Sequence, residues 1–115
     1  MKKIIFVNAF VALNMLSAFV SAINNDSLIT VWKDPSKADT SRIKAYQNYI
    51  WNVYLFSNPD TALILTQALK DFSNKKNSAY GKRQVEFLKG SIYYVKGDFP
   101  NSLLYYKNTL KWMSN

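Results

Sequence analysis

From residue 39 onward, apolar and polar positions alternate with the period of an α-helix. Ile43, Tyr46, Tyr49, Ile50, Val53 and Tyr54 recur at spacings of three and one, which puts them on one helix face. Asp39, Thr40 and Ser41 offer side-chain oxygens for the N-cap, and the pattern predicts a helix running to about Phe56. Ser57-Asn58-Pro59-Asp60 breaks it, because the residue before a proline avoids the helical region. Asp60 is the expected cap of a second helix carrying Ala62, Leu63, Leu65, Leu69 and Phe72. Asn74 to Ser78 is a polar, basic loop. A third helix is expected from about Ala79 to Lys96, with Phe87, Leu88, Ile92 and Val95 as its stripe. A fourth runs from Pro100 to Trp112, with Leu103, Tyr106 and Leu110 as its stripe.

The junction between the last two helices is the most legible part of the chain. Gly97 can take the left-handed conformation that ends a helix, and Asp98 can cap the next one. Pro100 falls in the first turn, where its missing N–H costs little. Gly90 sits in the interior of the third helix, where glycine costs about 1 kcal/mol relative to alanine. Close approach of a second helix is the physical reason to keep it. An all-α fold of antiparallel hairpins follows, with about four helices.

The chain ahead of these helices is less regular. Between Ile23 and Asp39 the residues Asn24, Asn25, Asp26, Asp34, Pro35 and Ser36 favour turns. Leu28, Ile29, Val31 and Trp32 form a short apolar patch among them. The expectation is a leader, 23–40, that folds back and covers the first helix with Trp32; a ligand-contacting Trp32 is the alternative. Residues 1–22 have the layout of an export signal. Lys2 and Lys3 precede the apolar run from Ile4 to Val20, and Val20-Ser21-Ala22 supplies small residues for cleavage after Ala22. A cleaved signal peptide implies a periplasmic or secreted protein. Membrane association is expected only through an uncleaved signal segment, and that run, interrupted by Asn8 and Asn14, is marginal for spanning a bilayer.

The two hairpins, about 41–74 and 79–113, look like copies. A shift of 40 residues pairs Val53 with Tyr93, Leu55 with Val95, Ala62 with Ser102 and Leu63 with Leu103. A fixed period of this size is the mark of a helical solenoid. Gly90, Tyr93, Gly97, Phe99, Ser102 and Tyr106 moreover stand in the register of a tetratricopeptide repeat (TPR), which they resemble. Thr109, Ser114 and Glu86 depart from that pattern, and Ile50 and Ser57 replace the two glycines in the first copy. The segment Tyr49 to Ala62 is similar to the exported N-terminal TPR region of Bacteroidota-type sensor proteins. That resemblance implies a short stack of hairpins, 41–115, which binds protein or peptide. It also leaves a second reading, a regulatory fragment of a longer histidine kinase or cyclase.

Only two repeats are visible, and the last helix carries Leu104, Tyr105, Leu110, Trp112 and Met113 with no capping helix behind it. Self-association, a partner seated along that face, or a longer parent protein would each account for this. In the TPR arrangement the first helix of each hairpin lines a concave face. The register places Lys44, Gln47, Trp51 and Tyr54 there from the first repeat, and Gln84, Phe87, Ser91 and Tyr94 from the second. Each set is spaced by three or four and so projects from one side of its helix.

Composition then removes most chemistry. The chain has no Cys and no His, so it lacks thiol catalysis, disulfides, the commonest general base and the commonest metal ligand. No two of the seven carboxylates share an evident helix face once Asp60 and Asp98 are taken as caps, and no glycine-rich phosphate loop is present. The expectation is a non-enzyme with no cofactor and no metal. Formal net charge is +8, and Lys75, Lys76, Lys82 and Arg83 cluster around Tyr80. Such a patch can hold single-stranded nucleic acid. An exported protein meets little of it, so a solvated face or an acidic partner is expected instead.

Overall fold

The computed structural model describes residues 24–113, and the fold is all-α. Among the described residues there are five helices: α1, 24–33; α2, Asp39–Val53; α3, Pro59–Lys75; α4, Ala79–Val95; and α5, Phe99–Met113. The export segment read from residues 1–22 lies outside the described residues. Part of the expected leader is helical, because Leu28, Ile29 and Trp32 share one helix face despite the Asn and Asp residues before them.

Helices α2 to α5 begin at residues 39, 59, 79 and 99, so the structural unit is one helix and one turn every twenty residues. The forty-residue shift seen in the sequence is two such units. Two of the turns share one geometry. Asn77 and Gly97 both adopt positive φ, 48° and 79°. At the first, Ser78 N–H donates to Ser73 O (2.9 Å) and Asn77 N–H to Asn74 O (3.1 Å); at the second, Asp98 N–H donates to Tyr93 O (2.9 Å) and Gly97 N–H to Tyr94 O (3.0 Å). This pair of bonds satisfies the last carbonyls of each helix. The next residue then caps the following helix: Ser78 Oγ accepts from Gly81 N–H at 2.9 Å, and Asp98 Oδ1 from Asn101 N–H at 3.2 Å.

The other two junctions differ from expectation. The N-cap of α2 is Ala38, with no side-chain bond, so none of Asp39, Thr40 and Ser41 caps it. Asp39 is a first-turn residue and meets Lys76 across α2 and α3 at 3.9 Å. The cap of α3 is Asn58, whose Oδ1 accepts from Thr61 N–H at 3.1 Å; Asp60 lies in the first turn and bonds Lys96. Helix α2 ends at Val53 and residues 54–57 form a turn, which drops Leu55 into the core.

Neighbouring helices pack in antiparallel pairs, and α4 is the centre of the stack, lying against α2, α3 and α5. Ile43, Ile50, Leu55, Leu69, Leu88 and Ile92 are fully buried among them. Each contributes about 1.5–3 kcal/mol through its removal from water. Two glycines set how closely α4 is approached. A Cβ on Gly81 would lie 2.2 Å from Ser73 Oγ on α3, and one on Gly90 would lie 2.7 Å from the Tyr106 ring on α5. The second contact is the close approach expected for Gly90. Trp32 closes the other end: its ring stacks on Tyr46 at 4.2 Å and meets Phe72 edge-on at 4.9 Å. Arg42 fastens it, donating from Nε to Trp32 O at 3.0 Å and lying over the Phe72 ring at 4.7 Å. The buried hydroxyls of α3 are satisfied within that helix, Thr66 by Ala62 O and Ser73 by Leu69 O.

Candidate functional site

The face shared by α2, α4 and α5 carries a row of rings. Trp51 on α2 stacks on Phe87 of α4, centroids 6.1 Å apart and planes 3° from parallel. Phe87 in turn meets Tyr106 of α5 at 5.9 Å, tilted by 45°. Phe87 is the middle of the row because α4 lies against both α2 and α5. On one side of the row lies an open groove of about 360 Å³, lined by Trp51, Leu55, Phe56, Ser91, Tyr94, Val95 and Tyr106. On the other side a shallower hollow of about 440 Å³ is lined by Arg83, Gln84, Phe87, Thr109 and Met113.

The polar groups of the groove are few and fixed. Ser91 Oγ donates to Phe87 O at 3.0 Å and accepts from Tyr106 Oη at 3.0 Å. Below them Ser102 Oγ donates to Gly90 O at 2.8 Å, which holds α5 against α4. Tyr94 stands 61% exposed at the groove mouth, its ring edge-on to Phe99 at 5.6 Å. The surface is therefore mostly aromatic and aliphatic, with two hydroxyls bonded to each other. Among the described residues no carboxylate lines it.

Of the eight residues selected from the sequence, the structure brings Trp51, Ser91 and Tyr94 into the groove, and Gln84 and Phe87 into the adjoining hollow. Tyr54 goes elsewhere. Its ring meets Tyr49 edge-on at 5.9 Å, and Tyr49 stacks toward Tyr46 at 6.2 Å, so Tyr54 extends the aromatic cluster beneath Trp32. Lys44 is exposed and Gln47 half-buried, two turns and one turn before Trp51 on α2. Sequence reasoning assigned the concave face to the first helix of each hairpin and so missed Tyr106, Thr109 and Met113 of α5, and Leu55 and Phe56 of the turn. The signal for α5 was present: Phe99, Leu103, Tyr106, Leu110 and Met113 are spaced four, three, four and three.

The opposite side of the α4–α5 contact is charged and aromatic. Tyr93 stacks on Tyr105 at 5.5 Å, and Lys89 Nζ lies over the Tyr105 ring at 5.4 Å. Burial, and then the nearby Lys70, lowers the Lys89 pKa below the usual lysine value; burial raises that of Tyr105. Lys82 lies over Trp112 at 5.9 Å and also reaches Asn77 Oδ1 at 3.0 Å. Among the described residues no group of three or more His, Cys, Asp or Glu side chains could hold a metal ion, and no helix is long and apolar enough to cross a membrane. Set against family models, curated proteins and solved structures, the chain matches none.

Proposed function

We propose that this chain is a non-catalytic module of tetratricopeptide-repeat type, exported from the cytoplasm, that binds a protein or peptide in the groove between α2, α4 and α5. The observation that carries the reading is the Trp51–Phe87–Tyr106 row with the open, carboxylate-free groove beside it. Aromatic faces at a concave surface supply large contact area at low conformational cost, which suits recognition of a polypeptide. The twenty-residue helix unit and the Gly90–Tyr106 approach support the repeat assignment. A photo-crosslinking residue in place of Tyr94, with the same residue in place of Lys75 as control, tests the reading in the producing cell. A discrete polypeptide adduct at Tyr94, absent at the control and lost on Trp51→Ala, is expected. Adducts that are equal at both positions, or absent at Tyr94, would overturn it. Export is tested separately: the mature chain should begin at Ile23.

A further inference from the structure

The stack contains its own template for what the groove accepts. Helix α4 lies against both members of the preceding hairpin, α2 and α3. Twenty residues per helix make α4 and α5 the next such hairpin, and among the described residues no helix fills the corresponding seat on them. Thr66 and Ser73, fully buried on α3, correspond to Tyr106 and Met113, which are half-buried and 65% exposed. Phe99, Leu103 and Leu110 continue the same α5 face and are each more than half exposed. From Phe99 through Leu103, Tyr106 and Leu110 to Met113 the four-three spacing spans about 21 Å of helix axis, the repeat that takes the knobs of a facing helix.

Charge decides between occupants. Arg83 lines the hollow beside Phe87, Lys107 is exposed one position past Tyr106, and Lys44 is exposed on α2 before Trp51. No Asp or Glu lines either the groove or the hollow among the described residues. On the same two helices Asp98 is engaged as the α5 cap, and Glu86 meets Asn108 at 3.3 Å and lines other pockets. A second copy would bring its own excess of Lys and Arg over Asp and Glu, and the same basic rim, to this face.

We infer that the α4–α5 seat, with Trp51 at its edge, takes an amphipathic α-helix from a partner protein, apolar on one face and acidic on its flanks. This rests on the polypeptide-binding reading above and narrows it to one shape and one charge. The test uses a labelled synthetic peptide of the same 15 residues' length as α5, with Leu at four-three spacing and Glu on both flanks. Two comparators accompany it: one of identical composition with the Leu positions rearranged off a single face, and one with Lys in place of Glu. Binding is read by fluorescence anisotropy against the full chain at two salt concentrations. The patterned acidic peptide should bind about tenfold tighter than either comparator and weaken as salt rises. R83E with K107E should reverse the preference between Glu and Lys peptides, with helical content unchanged by circular dichroism.

Equal binding of the rearranged peptide would sink the helical occupant while leaving polypeptide binding intact. Equal binding of the Lys peptide would sink the acidic one. Binding of no probe, with an adduct still formed at Tyr94, would likewise end this inference alone. A dimer in light scattering that dissociates on L103E would identify the occupant as a second copy. A Tyr94 adduct to residues of the chain's own N-terminal segment would identify it as that segment. Either result overturns the inference.

Discussion

Gly81→Ala isolates the energetics of the α3–α4 crossing. The substitution adds one methyl group where Ser73 Oγ would lie at 2.2 Å, Ser73 Cβ at 2.7 Å and Ile43 Cδ1 at 2.9 Å. Helix propensity alone favours the change by at most about 1 kcal/mol, and by less in the first turn, where Gly81 sits after the Ser78 cap. Overpacking opposes it by about 1–3 kcal/mol. The upper part of that range applies, because Ser73 Cβ is tied directly to the α3 backbone and cannot swing aside. The net expectation is about 2 kcal/mol of destabilisation, or roughly 8–16 °C in Tm for a domain of this size. Thermal and urea unfolding, followed by circular dichroism, measure it. A Ser73→Gly background removes both nearest atoms, so the cost of Gly81→Ala should shrink there by about 1 kcal/mol or more. A Gly81→Ala variant as stable as the parent, or a double mutant that is merely additive, would refute the crossing geometry.

Gly97→Ala should cost about 1–2 kcal/mol in urea unfolding, because its φ of 79° is a left-handed conformation, while Gly97→Asn should cost less, as Asn77 tolerates the matching turn. Arg42→Met removes the bond to Trp32 O and the cation over Phe72. Hydrogen exchange should then accelerate in residues 24–33 and leave the α4–α5 hairpin unchanged. Burial, and then Tyr54, holds the Tyr46 phenol above the usual 10.0. The unfolded chain therefore loses that proton first, and stability should fall as pH climbs past 10.0. Tyr46→Phe should make that fall shallower, measured by urea midpoints at pH 9 to 11, roughly the range in which tyrosines titrate.

Much of the helical layout was legible because punctuation and periodicity agreed there. Gly97, Asp98 and Pro100 fix the last turn through backbone rules that act within a few residues. The same local rules erred where two residues competed for one role. Asn58 precedes Pro59 and can only be extended, which makes it the cap and pushes Asp60 into the helix. At α2 no side chain caps at all, since Ala38 occupies the position and three polar residues after it point outward. Helix α1 was hidden by its Asn and Asp content, although Leu28, Ile29 and Trp32 already held its period. The site was half legible. The register of the tetratricopeptide resemblance singled out Trp51 on α2 and Phe87, Ser91 and Tyr94 on α4, which lie beside the groove and hollow. It could not show that residues 54–57 turn Phe56 toward the groove, or that Tyr54 leans back on Tyr49; both depend on packing between helices. Gly81 was likewise silent, because its partner Ser73 belongs to another helix.

The hydrogen bonds between helices have a mechanical consequence. Helix α5 is pinned to α4 at three heights, by Ser102 to Gly90, Ser91 to Tyr106 and Asn108 to Glu86. Helix α2 meets α4 through stacked rings and alkyl groups. The cleft thus has one jaw cross-linked by directional bonds, α4 with α5, and one jaw, Trp51 on α2, held to it by nonpolar contact alone.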